Sequence, residues 1–342
     1  MAQILTSKKL LHNLTICLLI LAVVMCLCTF VGSQRISLLK ALKGPGQSPG
    51  YNIDYEIFII RLKRVILAAI VGAALAASGV ILQALLRNPL ADPYILGISS
   101  GAGLGAVIAV LSGITFTFAA GSPMAVFAFC GSILTITLVW YIGKSAAKSQ
   151  LTSLLLAGVV VNAFFSAVIM FLTSIAKSDQ LRTTIYWLMG NLTDKSSPVL
   201  IIASVSVIAG ITLMFTLCNK LNAMTLGDQE AHALGVNIPR VRLIAFAVSA
   251  FITSVAVSLS GLIGFVGLIV PHAVRITFGP DHRQLLPLSA IAGAVFLIMA
   301  DTAARSLFGQ EQLPVGVITA IAGGPFFLVL LAKYSRKVSW LK

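Results

Sequence analysis

The sequence predicts an all-α polytopic membrane protein. Of its 342 residues, 58% are hydrophobic and only 10% are charged, whereas a soluble domain carries about 25% charged residues. The mean hydropathy is +1.01, and apolar runs long enough to cross about 30 Å of hydrocarbon recur from end to end. No hydrophilic stretch between them is long enough for a nucleotide-binding or catalytic domain. We therefore expect residues 1–342 to form a single transmembrane domain.

About ten apolar runs are predicted to be transmembrane helices. They lie near residues 10–33, 63–86, 94–113, 124–143, 152–176, 198–218, 241–260, 262–279, 285–304 and 314–333. Basic residues stand near both ends of the chain and the number of spans is even, so both termini are predicted to be cytoplasmic. The stretch 262–283 is the least regular, because it contains Pro271 and a polar turn. It is predicted to be either a short span or a partly re-entrant helix.

The chain also contains a candidate inverted repeat. A shift of 182 residues aligns Ser78 and Gly79 with Ser260 and Gly261, Pro89 with Pro271, and Gly97 with Gly279. The two copies would be inverted relative to each other, an arrangement common in transport pathways. A few matches in a chain rich in Gly and Ser can also arise by chance.

Charge and metal-ligand patterns exclude several classes of protein. The formal net charge is +14, but Lys and Arg are scattered through short loops rather than forming a nucleic-acid-binding face. The five cysteines and four histidines form no metal-ligating or haem-ligating pattern. There is no Gly-rich phosphate loop ending in Gly-Lys-Ser/Thr, so the chain is not expected to hydrolyse ATP. We therefore predict no enzyme activity, no bound cofactor, no metal site and no nucleic-acid partner.

The most informative stretch, residues 78–105, runs from the end of the second predicted span into the third and reads SGVILQALLRNPLADPYILGISSGAGLG. Its polar centre, residues 87–93, contains two prolines that cannot continue a helix, and we call it the elbow. The stretch resembles, nearly residue for residue, the signature of the FecCD-type permease subunits of ABC importers for iron-siderophores, haem and cobalamin. The resemblance covers almost the whole chain and implies a cobalamin-permease-like fold.

The resemblance implies a cytoplasmic gate in two neighbouring loops. The matching positions are Asn88, Pro89 and Leu90 in the elbow, and Thr152 and Ser153 before the fifth predicted span. Short polar side chains at a proline-broken helix end can form a narrow, movable seal. The alternative interpretation is a proline-defined turn with helix caps.

The longest predicted cytoplasmic loop, residues 219–242, contains a short helix pattern that ends in a glycine. The resemblance implies that this loop inserts into a groove on an ATPase subunit. The expected contact residues are Gly227, Glu230, Ala233, Leu234 and Gly235. The alternative interpretation is a solvated linker.

Basic residues are predicted on the outer face, against the usual bias of membrane proteins. The resemblance implies that Arg61, Arg64 and Arg305 meet acidic residues of a substrate-binding protein, and such pairs steer docking. The alternative is snorkelling towards lipid headgroups. Asp301 lies in an apolar run, where a carboxylate indicates function. It is four residues before Arg305, so an ion pair is predicted, with a proton-coupling carboxylate as the alternative.

The predicted function is therefore that of a transmembrane permease in a binding-protein-dependent ABC importer. The resemblance implies a homodimer in a prokaryotic inner membrane, with two ATPase subunits that use ATP and an extracytoplasmic substrate-binding protein. The expected substrate is a metal chelate, with ferric siderophore placed before cobalamin and haem only because that branch of the family is large. The alternative is a secondary transporter driven by an ion gradient, which would need buried carboxylates near mid-membrane.

Overall fold

The computed structural model describes residues 6–32, 34, 36–45, 52–115, 121–144, 150–193, 195–307 and 313–339. These residues form thirteen α-helices and one 3-10 helix. The α-helices are α1 (Ser7–Phe30), α2 (Leu38–Ala41), α3 (Ile53–Leu85), α4 (Ile98–Ser112), α5 (Pro123–Lys144), α6 (Gln150–Ser174), α7 (Ser178–Leu188), α8 (Ser197–Met224), α9 (Asp228–Ala233), α10 (Ile238–Ser260), α11 (Val266–Phe278), α12 (His282–Ser306) and α13 (Val315–Ser339). The 3-10 helix spans Pro93–Leu96.

The predicted membrane spans are confirmed as apolar helices. Seven helices in the described part of the chain are long and apolar enough to cross a membrane. The other three predicted spans correspond to shorter apolar stretches, Ile98–Ser112, Val266–Phe278 and Val315–Val329. The all-α, polytopic prediction is therefore confirmed.

Helix α3 lies at the centre of the bundle. In its most apolar stretch of 18 residues, 83% of the residues are buried. The helix packs against α8, α10, α11 and α12. A Cβ atom on Gly72 would meet the carbonyl of Gly293 on α12, and one on Gly79 would meet the backbone of Gly267 on α11. Small residues allow this approach between membrane helices. At the centre of the fold, the backbone of α3 is therefore in direct contact with the backbones of α11 and α12.

The irregular stretch near residue 262 contains an unwound segment and then a short helix. Residues 261–265 are non-helical, and Phe265 has a φ of 69°. The Tyr94 hydroxyl accepts a hydrogen bond of 2.9 Å from the Ile263 N–H, which ties this segment to the 3-10 helix. Helix α11 has 13 residues and contains Pro271. At 1.5 Å per residue it is about 20 Å long, too short for a full crossing on its own.

Helix α7 was not predicted. Its 11 residues include Asp179, Gln180 and Arg182, so it contains no long apolar run. It packs against α4, where the Gln180 amide donates to the Val110 carbonyl at 3.3 Å. The sequence signal that could have revealed it is the helical spacing of its apolar residues rather than their number.

The ends of the helices define two faces. Lys9 of α1, Arg87 after α3 and Asp281 before α12 line one cavity, and we call this side the elbow face. On the other side, the opposite face, Arg61 near the start of α3 donates to the carbonyl of Phe30 at the end of α1 at 3.1 Å.

The inverted repeat remains a prediction. Gly97 and Gly279 both have positive φ angles, 80° and 100°, and each directly follows the last residue of a helix. Pro89 lies in the elbow, however, whereas Pro271 lies inside α11. The aligned positions therefore share local structure only in part.

Candidate functional site

The elbow is a compact turn built around Asn88. The Asn88 N–H donates to the carbonyl of Gln83 at 3.1 Å, and the Asn88 carbonyl accepts from the Ala91 N–H at 3.1 Å. The Asn88 side-chain oxygen accepts from the Leu90 N–H at 2.9 Å. Asn88 is exposed, while Pro89 and Leu90 are half-buried. These three residues form a proline-defined turn, as one interpretation expected, and their place at a helix end is also compatible with a gate.

The elbow is tied to the loop that contains α9. Arg87 takes a φ of 48°, which is uncommon for a residue with a side chain. Its guanidinium donates to the Met224 carbonyl at 2.9 Å and forms an ion pair with Asp228 at the start of α9. Asp228 also pairs with Arg242 of α10 at 2.8 Å. One carboxylate thus joins the elbow, α9 and α10.

Thr152 and Ser153 lie in the first turn of α6; Thr152 is exposed and Ser153 is half-buried. Further along α6, a Cβ atom on Gly158 would meet the backbone of Ile95 and Leu96 in the 3-10 helix after the elbow. This contact places the start of α6 on the elbow face. Residues 145–149, which precede α6 in sequence, lie outside the described part of the chain.

Helix α9 presents most of the predicted coupling residues to the outside. Ala231 and Val236 are buried and anchor the segment. Leu234 is 66% exposed and Leu226, which was not predicted, is 68% exposed. The remaining predicted residues are Glu230, Ala233 and Gly235, which are exposed, and Gly227, which is half-buried. The segment between α8 and α10 thus exposes two large apolar side chains, and its role in coupling remains a prediction.

On the opposite face, Asp301 holds two arginines from different helices. Arg64 of α3 donates from Nε to both carboxylate oxygens at 3.0 Å and from Nη2 to Oδ1 at 2.8 Å. Arg305, one turn further along α12, places its Nε 3.3 Å from Oδ2. The Asp301 side chain is only 1% exposed. The predicted Asp301–Arg305 contact is therefore present, whereas no sequence pattern indicated Arg64 as the second partner.

The three predicted docking arginines come together but are largely buried. Arg61, Arg64 and Arg305 are 7%, 9% and 4% exposed, and all three line a cavity of about 240 Å³. Arg61 donates to the carbonyls of Phe30 and Gln34 at 3.1 and 2.7 Å. These guanidinium groups bond to other parts of the protein beside this cavity. A role in docking remains a prediction.

Two features of the site were not found from the sequence. The Arg87–Asp228 pair joins residues 141 positions apart, and the Arg64–Asp301 pair joins residues 237 positions apart. No local pattern brings such partners together. Within the described residues, no group of three His, Cys, Asp or Glu side chains is placed to hold a metal ion.

Comparisons with known proteins agree on one family. The chain matches the FecCD transport family over residues 18–333. It is 44% identical over 282 residues to the hemin transport system permease protein HmuU of Yersinia pestis, covering 82% of this chain and 84% of that protein. It is 43% identical over 272 residues to the cobalamin import system permease protein BtuC of Halobacterium salinarum, covering 80% and 72%.

A solved structure of a metal-chelate type ABC transporter in an inward-facing conformation has the same fold. The TM-score is 0.82 at 31% sequence identity, and the match covers 94% of this chain and 98% of that one. The sequence match and the fold match both extend across nearly the whole bundle, including the elbow, α9 and the buried arginines. The chain therefore belongs to the FecCD transport family.

Proposed function

We propose that this chain is the membrane-spanning permease subunit of an ABC importer for a metal chelate. The observation that carries the proposal is the Arg87–Asp228–Arg242 connection, which joins the elbow to the exposed helix α9. A movement of α9 would be transmitted to the elbow through these ion pairs. Relatives named as hemin and cobalamin permeases support the transport assignment. The chain itself supplies a path and a gate, and a partner ATPase supplies the energy.

The partners follow from the two faces. We assign two ATPase subunits to the elbow face, which is then the cytoplasmic face, in keeping with the expectation that both termini are cytoplasmic. An extracytoplasmic binding protein would dock on the opposite face, where the buried arginines leave a basic cavity. The gate residues Asn88 and Thr152 are exposed on the surface of one chain. A seal built from them needs a facing surface, which a second copy of the chain would supply.

The substrate class is a large metal chelate. Haem and cobalamin are named for relatives of nearly equal identity, 44% and 43%, so identity does not choose between them. Ferric siderophore stays our first expectation because of the size of that branch alone. ATP-driven uptake of each chelate into proteoliposomes containing the permease and its ATPase would decide the substrate.

The coupling role can be tested with Leu234→Asp. A charged residue at this 66% exposed position should abolish co-purification with the ATPase, because an apolar contact would be replaced by a carboxylate that loses its hydration. Gln229→Asp is the matched control, since it adds the same charge to exposed α9 without removing an apolar side chain. If Leu234→Asp and Gln229→Asp both co-purify with the ATPase as well as the wild type does, α9 is not part of the interface.

The competing function is a secondary transporter driven by an ion gradient. Its expected buried carboxylate would be Asp301, which is already paired with two arginines near the end of α12. Uptake that proceeds on a proton gradient without any ATPase would overturn the ABC assignment. Uptake that requires ATP hydrolysis would support it.

A further inference from the structure

Helix α11 contains a proline that leaves one backbone carbonyl without its usual donor. In an α-helix, the carbonyl of residue 267 accepts a hydrogen bond from the N–H of residue 271. Here that residue is Pro271, which has no N–H. Gly267 is buried, and an unpaired carbonyl inside a membrane is costly because no water replaces the missing donor. The fold therefore needs another donor at this position.

The missing donor comes from the side chain of Gln83, near the end of α3. The Gln83 amide donates to the Gly267 carbonyl at 3.3 Å and to the Leu268 carbonyl at 3.5 Å. Its side-chain oxygen accepts from Arg275 Nη2 at 2.9 Å. Gln83 is only 3% exposed. One buried amide thus bonds to both the first and the last turn of α11.

Gln83 also supports the elbow through its backbone. Its carbonyl accepts the Asn88 N–H at 3.1 Å. Arg87, four residues after Gln83, carries the ion pair to Asp228 of α9. The same end of α3 is therefore bonded to α9 on one side and to α11 on the other.

We propose that Gln83 is a positioning residue that makes α11 move together with the elbow. A movement of α9 would reach the elbow through the Arg87–Asp228 pair, and Gln83 would pass it on to α11. The non-helical residues 261–265 directly precede α11, and a Cβ atom on Gly323 of α13 would meet the Phe265 ring. The movement would thus extend from the elbow towards α13. This role rests on the proposed function, since the elbow acts as a gate only there.

The connection itself is tested by hydrogen–deuterium exchange of the purified full chain in lipid nanodiscs. Gln83→Met keeps a side chain of similar length but removes both the donor and the acceptor. We expect amide exchange in the elbow and in the first turn of α11 to rise about tenfold, because a lost buried hydrogen bond loosens the segments that it joined. Unchanged exchange in both segments would overturn the connection.

Gln180→Met is the matched control for this measurement. Gln180 also makes a hydrogen bond between helices, donating from its side chain to the Val110 carbonyl at 3.3 Å. The control variant should leave exchange in the elbow at the wild-type rate. An equal rise in the elbow of both variants would show a general loosening of the bundle and would overturn the specific role of Gln83.

Pro271→Ala separates positioning from a merely structural role, because it supplies an N–H that can pair with the Gly267 carbonyl. Gln83→Met should therefore lower the melting temperature less in the Pro271→Ala background than in the wild type. The double variant still lacks the bond between Gln83 and Arg275. We expect it to transport severalfold less chelate per ATP hydrolysed than Pro271→Ala alone, measured in proteoliposomes with the ATPase.

Equal transport per ATP in the double variant and in Pro271→Ala would show that Gln83 only satisfies a carbonyl. That result would overturn the positioning role and leave the permease assignment intact. Absence of ATP-dependent uptake by the wild type would instead overturn the proposed function, and with it the part of Gln83 in transport. The exchange measurement needs no ATPase, so it would still decide whether Gln83 joins the elbow to α11.

Discussion

Two aspartates on opposite faces of the molecule make the same type of connection in different surroundings. Asp228 joins Arg87 and Arg242 on the elbow face, and its side chain is 44% exposed. Asp301 joins Arg64 and Arg305 on the opposite face, and its side chain is 1% exposed. In both cases one carboxylate binds guanidinium groups from two different segments.

Burial makes these two bridges differ in strength and mobility. An exposed ion pair contributes about 0–1 kcal/mol, because water competes for each charge. Removing one partner of a buried pair costs about 3–5 kcal/mol, because the remaining charge is left without compensation. The Asp228 bridge is the more exposed of the two and can therefore be rearranged at a lower cost than the Asp301 bridge, which suits a coupling element. The Asp301 bridge holds its arginines in place, which suits a docking platform.

The largest expected effect is that of Asp301→Asn. It leaves Arg64 and Arg305 buried with no carboxylate, so the free energy of unfolding should fall by about 3–5 kcal/mol. Thermal unfolding of the detergent-solubilised protein should show a clearly lower melting temperature than the wild type. A melting temperature within error of the wild type would contradict the view that this bridge is structural.

A smaller loss of stability is expected for Gly293→Ala, which acts on the same two helices. The added Cβ would meet the Gly72 carbonyl and the Ala76 side chain, pushing α3 away from α12 and straining the Arg64–Asp301 contact. Overpacking of this kind costs about 1–3 kcal/mol, again measured by thermal unfolding. Gly324→Ala in α13 is the control, because a Cβ there meets nothing within 4 Å. Equal losses of stability in Gly293→Ala and Gly324→Ala would show that crowding by the added Cβ atom is not the cause.

Asp228→Asn should cost less stability than Asp301→Asn, about 1–3 kcal/mol, but reduce ATP-driven uptake severalfold. The pair with Arg87 is exposed and adds little to folding, whereas the Arg242 side chain is only 16% exposed and loses its charged partner. The elbow would also lose its ionic connection to α9. Asp179→Asn is the control, since it also removes an exposed carboxylate from the first turn of a helix. Normal uptake by Asp228→Asn would show that coupling does not depend on the ion pairs of this residue.

The smallest expected effect is a difference in salt dependence. Raising the ionic strength from about 0.1 M to about 1 M shortens the screening length from about 10 Å to about 3 Å. The uptake defect of Asp228→Asn relative to wild type should therefore narrow at high salt. The stability defect of Asp301→Asn should change much less, because the Asp301 side chain is only 1% exposed and a buried pair is only weakly screened. If the defects of Asp228→Asn and Asp301→Asn change with salt in the same way, the two bridges do not differ in their electrostatic screening.

Much of the fold could be predicted from the sequence because membrane spans are a local property. A span needs only a long apolar run, and nearly every backbone hydrogen bond is formed within it. All ten predicted spans therefore correspond to apolar helices. Helix α7 was missed because its signal is the spacing of apolar residues, not a continuous run.

The sequence by itself determined the helices, the elbow with its two prolines and the α9 loop, because each depends on residues close together in the chain. Only the tertiary structure decided which charges meet. The family resemblance implies a docking role for Arg64, and the tertiary structure in addition pairs it with Asp301 on another helix. Asp228 had no assigned partner, yet it joins the elbow to α10. Ion-pair partners depend on how the helices pack, and packing is set by contacts between residues far apart in sequence.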